Sequence, residues 1–366
     1  MLFKNKSGYH FLLLSVVLSA IGLLFIYSAS RYSAEINYGD SFFFVRKQSI
    51  ALAVGIGFFF AGRFIKPVWL KKANWIILIV SIGLLALVYI PGLGMSSYGA
   101  TRWISLGFVT FQPSEISKFG LMIFFAGYMA EKPPVCVKNM IVPVLATIAV
   151  CALVITEPNM SITMVIGLST LLLFYAAGLP KKIFVILLFV VIAGGVGLIL
   201  IEPYRIKRLT AFLNPWENPK AEGYQLIQSF YAVGSGGLFG KGLFCSRQKL
   251  LFLPFAESDF IFSIIAEETG LIGCVIVMLV FLIFIVSGFR TAIVSENRFK
   301  MLLATGLTAV IGFQTLINLA VVTGCIPPTG VPLPFVSAGG SSLISFLFVA
   351  GLLSGLSAGT KKGLAS

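Results

Sequence analysis

Histidine is almost missing from this chain. His10 is the only one, so a His-based triad and a histidine zinc site are excluded. Cysteine is sparse as well. Cys136, Cys151, Cys245, Cys274 and Cys325 show no CxxC or metal-ligand spacing. Cys245 and Cys325 fall on the same predicted side and could pair, but free, buried thiols are the expectation. Charge is scarce too: 11% of residues are charged and only 13 are acidic. There is no water-soluble domain, no low-complexity segment and no repeat of fixed period. Gly234-Ser-Gly-Gly237, with Gly240 and Gly242, matches neither a Walker loop nor a Rossmann fingerprint, because no strand precedes it. Such a run can bend tightly or let backbone approach a ligand, and a flexible hinge is the plainer reading.

What fills the chain is apolar. The hydrophobic fraction is 58% and the mean hydropathy is +1.00. Runs of about 20 apolar residues recur, each long enough to cross about 30 Å of hydrocarbon. They predict an all-α integral membrane protein, one polytopic domain over residues 1–366, with about ten spans. The spans fall near 10–29, 48–64, 75–91, 115–130, 140–156, 160–178, 182–201, 260–287, 301–323 and 335–357. The first resembles a signal peptide in its leading Lys4 and Lys6. It lacks a clean small-x-small cleavage site, and many spans follow, so it reads as a retained helix.

An even number of spans puts both termini on one side, and the positive-inside rule makes that side cytoplasmic. Inner segments then hold Lys4, Lys6, Arg63, Lys66, Lys71, Lys72, Lys132, Lys138, Lys181, Lys182, Arg290, Arg298, Lys300, Lys361 and Lys362. The short outer ones hold Arg31, Arg46, Lys47, Arg102 and Lys118. The net charge of +14 therefore needs no nucleic acid. Its outward-facing share suits an anionic, phosphate-bearing ligand. The longer connections, 30–47, 92–114 and the large loop 202–259 between spans seven and eight, all face outward, which places function there. Pro327, Pro328, Pro332 and Pro334 keep the stretch before the last span out of a helix. Non-helical backbone at membrane depth must be buried by protein or line a wet cavity, so this segment should pack on the large loop or line its cavity.

Acid placement is the strongest functional signal. Glu257, Asp259, Glu267 and Glu268 cluster at the mouth of the eighth span, where a charge costs about 3 kcal/mol or more. Asp259 is the leading candidate, against a plain helix N-terminal carboxylate stabilised by about 0.3–1 kcal/mol. Glu267 and Glu268 lie deeper and diverge by about 100° around the helix. One could point into the Asp259 cavity while the other pairs elsewhere; pairing of either with an inner-loop Lys or Arg is the structural alternative. Glu115 and Lys118 share a helix face, as a local ion pair or as part of the site. Arg102-Trp103 is either functional or an interfacial aromatic beside a snorkelling arginine.

These residues resemble the SEDS family (shape, elongation, division and sporulation), of the FtsW/RodA/SpoVE type, over nearly the whole chain. The resemblance rests on Ile21-Gly-Leu-Leu-Phe-Ile-Tyr-Ser-Ala-Ser30 and on Arg102-Trp-Ile-Ser-Leu-Gly107 with Phe111-Gln-Pro-Ser-Glu-Ile-Ser-Lys118. It continues through Tyr204-Arg205, Phe212-Leu-Asn-Pro-Trp216, Gly223-Tyr-Gln225, Gln228-Ser229 and Gly234-Ser-Gly-Gly237. Asp259-Phe-Ile-Phe262 with Glu267-Glu268, Asn318, Val322-Thr-Gly324, Pro332-Leu-Pro-Phe335 and Gly339-Gly-Ser-Ser342 complete it. Asn-Pro-Trp, Gln248-Lys249 and Pro327-Pro-Thr-Gly330 favour the division and sporulation branch. The chain departs from the family pattern at Phe255-Ala-Glu-Ser258, at Glu157-Pro-Asn-Met-Ser-Ile162 and at Ala338.

The resemblance implies a peptidoglycan glycosyltransferase that polymerises lipid II at the outer face of the bacterial cytoplasmic membrane. Asp259 would be its general base or metal-assisting carboxylate. Arg102, Lys118, Arg205 and Lys249 would face the diphosphate, with Glu115 orienting Lys118 and with Glu267 and Glu268 among the substrate-binding residues. A leaving diphosphate needs cations or a divalent metal such as Mg or Mn. A class B penicillin-binding protein transpeptidase is the implied partner, alongside other division proteins. A flippase or transporter of the lipid-linked precursor, and a non-catalytic division scaffold, are the rival readings.

Overall fold

Each predicted span falls on a helix in the computed structural model, which describes residues 8–97, 100–105, 110–221 and 223–359. Lys4, Lys6, Lys361, Lys362 and the Leu106-Gly107 end of the Arg102 motif lie outside the described residues. In chain order come α1 (His10–Tyr38), α2 (Phe43–Phe64), the short α3 (Pro67–Lys72) and α4 (Asn74–Leu87). A small antiparallel sheet follows, β1 (Gly94–Ser97), β2 (Ala100–Ser105) and β3 (Thr110–Phe111), in that spatial order. Then come α5 (Pro113–Glu131), α6 (Val137–Thr156), α7 (Met160–Ala176) and α8 (Lys181–Ile201). The large loop contains α9 (Pro203–Leu213) and α10 (Tyr224–Gly236). Helices α11 (Ile261–Ile293), α12 (Arg298–Val322) and α13 (Gly340–Gly359) complete the chain.

Six of these, α1, α2, α6, α11, α12 and α13, are long and apolar enough to cross a membrane, and α4 and α7 are shorter apolar helices. The protein is therefore a multi-pass membrane protein. Helix boundaries follow local chemistry. Proline occupies the first turn of α3, α5 and α9, where the missing N–H is harmless. Asn159 caps α7 through Ile162 N, and Asn297 caps α12 through Phe299 N and Lys300 N. Helix α12 is the axis of the bundle, buried along most of its length against α5, α7 and α11. Helices α2 and α13 lie along each other. A Cβ at Gly351 would sit 2.0 Å from the Phe59 carbonyl oxygen, so only glycine permits that approach. Helix α8 shows the opposite face of membrane chemistry: Val185, Ile186, Phe189 and Val190 are exposed, as a lipid-facing surface requires.

Three features were not visible as elements in the sequence. The 92–114 connection, expected only as one of the longer outer segments, carries the small sheet. The last predicted span begins at Gly340 rather than at residue 335, because 331–339 runs as non-helical backbone. Helix α11 breaks at Gly270, whose φ of 65° is left-handed and favours glycine. The expected flexible hinge is also corrected. A Cβ at Gly236 would lie 2.0 Å from the Ala266 oxygen and one at Gly240 2.2 Å from the Glu268 oxygen. These glycines press the loop backbone onto α11 and fix it. The expectation of buried thiols is corrected as well: all five cysteines are free, and Cys136, Cys245 and Cys325 are exposed.

Candidate active site

Asp259 lies just before α11 and is held from behind by backbone. Asn318 Nδ2, on α12, donates to the Asp259 carbonyl at 2.8 Å and to the Val331 carbonyl at 2.7 Å. Ala338 N donates to the Glu257 carbonyl at 2.9 Å, and Ser337 Oγ donates to the Ser258 carbonyl at 2.6 Å. The proline-rich segment thus zips onto the residues before α11, as its composition predicts. Gly330 completes this wall, for a Cβ there would come within 3.3 Å of Asp259 Oδ2. These contacts fix the main chain of 257–259 from two elements without engaging the Asp259 carboxyl oxygens.

Its electrostatics are balanced rather than saturated. Burial is the largest influence and pushes the Asp259 carboxyl up to about 6; Arg102 opposes it, Glu257 adds to it, and Arg208 and a Ser258 hydrogen bond oppose it. Glu257 is itself raised by burial. Arg102 arrives from β2, its Nε donating to the Glu157 carbonyl at 2.8 Å and its Nη2 to the Pro158 carbonyl at 2.5 Å. Arg208 arrives from α9 and donates from Nη1 to the Pro328 carbonyl at 3.1 Å. Sequence reasoning selected Arg205 from α9 and missed Arg208. The two are three residues apart and share a helix face, so the basic run Arg205, Lys207, Arg208 was the available signal.

Lys118 and Glu115 lie elsewhere in the core. Lys118 Nζ donates to Glu115 Oε2 at 2.8 Å and to Gln314 Oε1 at 2.7 Å, and Ser342 Oγ donates to the same Glu115 oxygen at 2.8 Å. The ammonium also sits 4.7 Å from the centre of the Phe346 ring. Its side chain has no exposed surface. The pair joins α5, α12 and α13, and it reaches Asp259 only indirectly. Gln314 Nε2 donates to the Pro332 carbonyl at 3.0 Å, and Asn318, one turn along α12, holds Val331 and Asp259.

Glu267 and Glu268 turn toward the large loop and α1. The expectation that one of them points into the Asp259 cavity is not met, and neither pairs with a segment at the other end of the bundle. Glu267 accepts from Lys241 Nζ at 2.7 Å, Arg247 N at 3.1 Å, Gln248 N at 3.3 Å and the Ser246 hydroxyl. Glu268 accepts from Ser28 Oγ at 2.6 Å, Lys249 Nζ at 2.9 Å, Phe244 N at 3.0 Å and Ser246 N at 3.2 Å. The main chain repeats the pattern: Lys241 N and Gly242 N donate to the Glu267 and Glu268 carbonyls, and Leu271 N and Ile272 N donate to those of Gly237 and Leu238. The loop therefore fills the break in α11 and satisfies its open backbone groups. Lys249, placed by sequence at the diphosphate, also lines a cavity of about 520 Å³ with Ser28, Arg31, Tyr32, Glu35 and Phe244.

The described residues thus form a many-helix polytopic membrane bundle with a buried carboxylate in the field of Arg102 and Arg208, an arrangement suited to an anionic ligand. Comparison gives the family. The cell cycle protein model FTSW_RODA_SPOVE matches residues 9–362, and this chain belongs to that family. Stage V sporulation protein E of Bacillus subtilis is 39% identical over 354 residues, covering 96% of each chain. The probable peptidoglycan glycosyltransferase FtsW of Geobacter sp. strain M18 is 37% identical over 357 residues, covering 96% of this chain and 97% of its own. A solved chain described under "Structural coordination of polymerization and crosslinking by a peptidoglycan synthase complex" superposes with a TM-score of 0.80 at 27% identity, covering 97% and 98% of the two chains. The rod shape determining protein RodA of Thermus thermophilus superposes with a TM-score of 0.71 at 26% identity, covering 95% and 96%.

Proposed function

We propose that this chain is a peptidoglycan glycosyltransferase that polymerises lipid II, and that Asp259 is its general base. The observation that carries the assignment is a main-chain-anchored carboxylate, raised to about 6 by burial, beside Arg102 and Arg208. At neutral pH such a group is largely ionised and still basic enough to accept a proton. The acceptor sugar's 4-hydroxyl loses its proton to Asp259 as its oxygen bonds to the donor's anomeric carbon. The bond from that carbon to the diphosphate oxygen breaks, and the lipid diphosphate leaves with the electron pair. Arg102 and Arg208 offer fixed positive charge where that negative charge develops.

Among the described residues no three candidate metal-ligating side chains come together. A Mg or Mn ion would therefore arrive on the substrate's own diphosphate oxygens rather than in a protein cage. The charge distribution supports a cytoplasmic-membrane location with both termini cytoplasmic, so that Asp259 faces outward. The solved neighbour's role in a synthase complex supports a class B penicillin-binding protein as partner, and the sporulation and division relatives support other division proteins as company.

The test incubates the purified protein, with its transpeptidase, with lipid II and resolves the glycan chains formed. Polymer made by the wild type and lost in Asp259→Ala supports the assignment. Lipid II translocation in sealed vesicles without polymer would establish a transporter. Neither activity, with retained recruitment of division proteins, would establish a scaffold.

A further inference from the structure

Glu157 is a buried acid that the proposed reaction does not use. It ends α6, is fully buried, and neither carboxyl oxygen has a hydrogen-bond partner. Arg102 lies beside it, and its Nε and Nη2 donate to the Glu157 and Pro158 main-chain carbonyls. An ionised carboxylate next to a guanidinium ordinarily draws it into a bidentate pair, and a buried carboxylate without donors is severely unfavourable. In such a site the neutral acid costs far less than the carboxylate. The surroundings agree. Ser161 Oγ ties the start of α7 to the Thr329 carbonyl, Thr329 Oγ1 is itself buried without a partner, and the next residue, Gly330, abuts Asp259.

We infer that Glu157 is a positioning residue of this site, kept as the neutral acid so that the charge of Arg102 stays directed at Asp259 and at the departing diphosphate. Arg102 acts on both carboxyls. Burial pushes Glu157 up to about 8 against the pull of Arg102, while Asp259 stays near 6. One acid is thus neutral and the other ionised across the physiological range. The other charged groups acting on the site, Arg208 from α9 and Glu257 from the segment before α11, act on Asp259. Asn159 and Ser161, which follow Glu157 at the start of α7, and Thr329, to whose carbonyl Ser161 donates, carry no charge. Above about pH 8 the Glu157 proton is lost, and the new carboxylate competes for Arg102.

This inference rests on the polymerase reading, and the experiment separates the two. Polymerisation is measured across pH for the wild type and for Glu157→Gln, which mimics the neutral acid. The wild type should lose about tenfold between about pH 7 and about pH 9, and Glu157→Gln less than about twofold. Infrared difference spectra over the same range should show a protonated carboxyl band that titrates in the wild type and is missing from the Gln variant. An alkaline fall of equal size in both proteins overturns the inference, as does a folded Gln variant that is inactive at every pH. An active wild type without the band overturns it alone. A wild type that makes no polymer at any pH overturns the polymerase reading and this role with it.

Discussion

Asp259 and Glu268 flank the same stretch of α11, yet their surroundings are opposite in kind. Glu268 is fully buried and accepts hydrogen bonds from Ser28, Lys249 and two main-chain N–H groups. Asp259 is held by its carbonyl, and its carboxyl is left to a Ser258 hydrogen bond and to the pull of Arg102 and Arg208. A saturated charge has nothing left to offer a substrate, and its energy goes into holding elements together. An unsaturated one, positioned by its main chain, is poised for a ligand. The same contrast separates Lys118, ringed by Glu115, Gln314 and Phe346, from the two arginines near Asp259.

Asp259→Ala tests this comparison at its sharpest. Loss of a positioned base should lower polymerisation by about 10²–10⁴-fold. Because burial disfavours the ionised form, thermal unfolding in detergent should show stability unchanged or slightly raised. Substantial polymerisation by this variant would remove Asp259 from the reaction. The surviving activity of the wild type should rise as pH passes about 6, since the base works only when deprotonated.

Lys118→Ala should act in the reverse order, on stability first. It strands the buried Glu115 carboxylate, and removing one partner of a buried pair costs about 3–5 kcal/mol. That exceeds the 1 kcal/mol or so of a surface anchor. Lys118→Arg should not rescue, because a planar guanidinium does not fit a closed site built around an ammonium. In the double variant Glu115→Gln/Lys118→Met no buried charge is stranded, so unfolding should return toward the wild-type temperature. If that stable protein is inactive, Lys118 serves the reaction as well as the fold, and the saturated-charge rule fails here.

Arg208→Ala should cost on the order of tenfold in polymerisation, about 1.4 kcal/mol, and Arg205→Ala distinctly less. The reverse ranking would mean that Arg205, rather than Arg208, supplies the α9 charge at Asp259 during the reaction.

The sequence made the spans legible because apolar length needs no partner to be read. It also made Asp259 legible, because four of only 13 acidic residues gather at one span mouth. The proline segment was legible because backbone that cannot be helical at that depth must be packed by protein. What stayed hidden depends on distant pairing. The destinations of Glu267 and Glu268 are Lys241, Ser246 and Lys249, and periodicity on one helix cannot choose among loop lysines. The role of the glycines was hidden because their Cα surfaces meet carbonyls of α11, a contact with no sequence signature. Arg208 and Glu157 were missed because each acts across elements, from α9 and from the α6–α7 turn, and no spacing along a single element shows such a contact.

Lys241→Met should have the smallest effect, and its size measures how far saturation protects the loop. Lys241 is partly exposed, with 31% of its side-chain surface open, so solvent already screens its attraction for Glu267. When it is removed, Glu267 keeps the Ser246 hydroxyl and the main-chain N–H groups of Arg247 and Gln248. The loop also keeps its main-chain bonds across the Gly270 break. The expected loss is therefore about 1 kcal/mol or less, read as a small fall in unfolding temperature with polymerisation retained. Lys249→Met strips Glu268 of the ammonium that donates to it, on a side chain only 11% exposed, and should destabilise more. Equal losses from the two variants would show that the loop is held by net charge rather than by the individual hydrogen bonds that fill the break in α11.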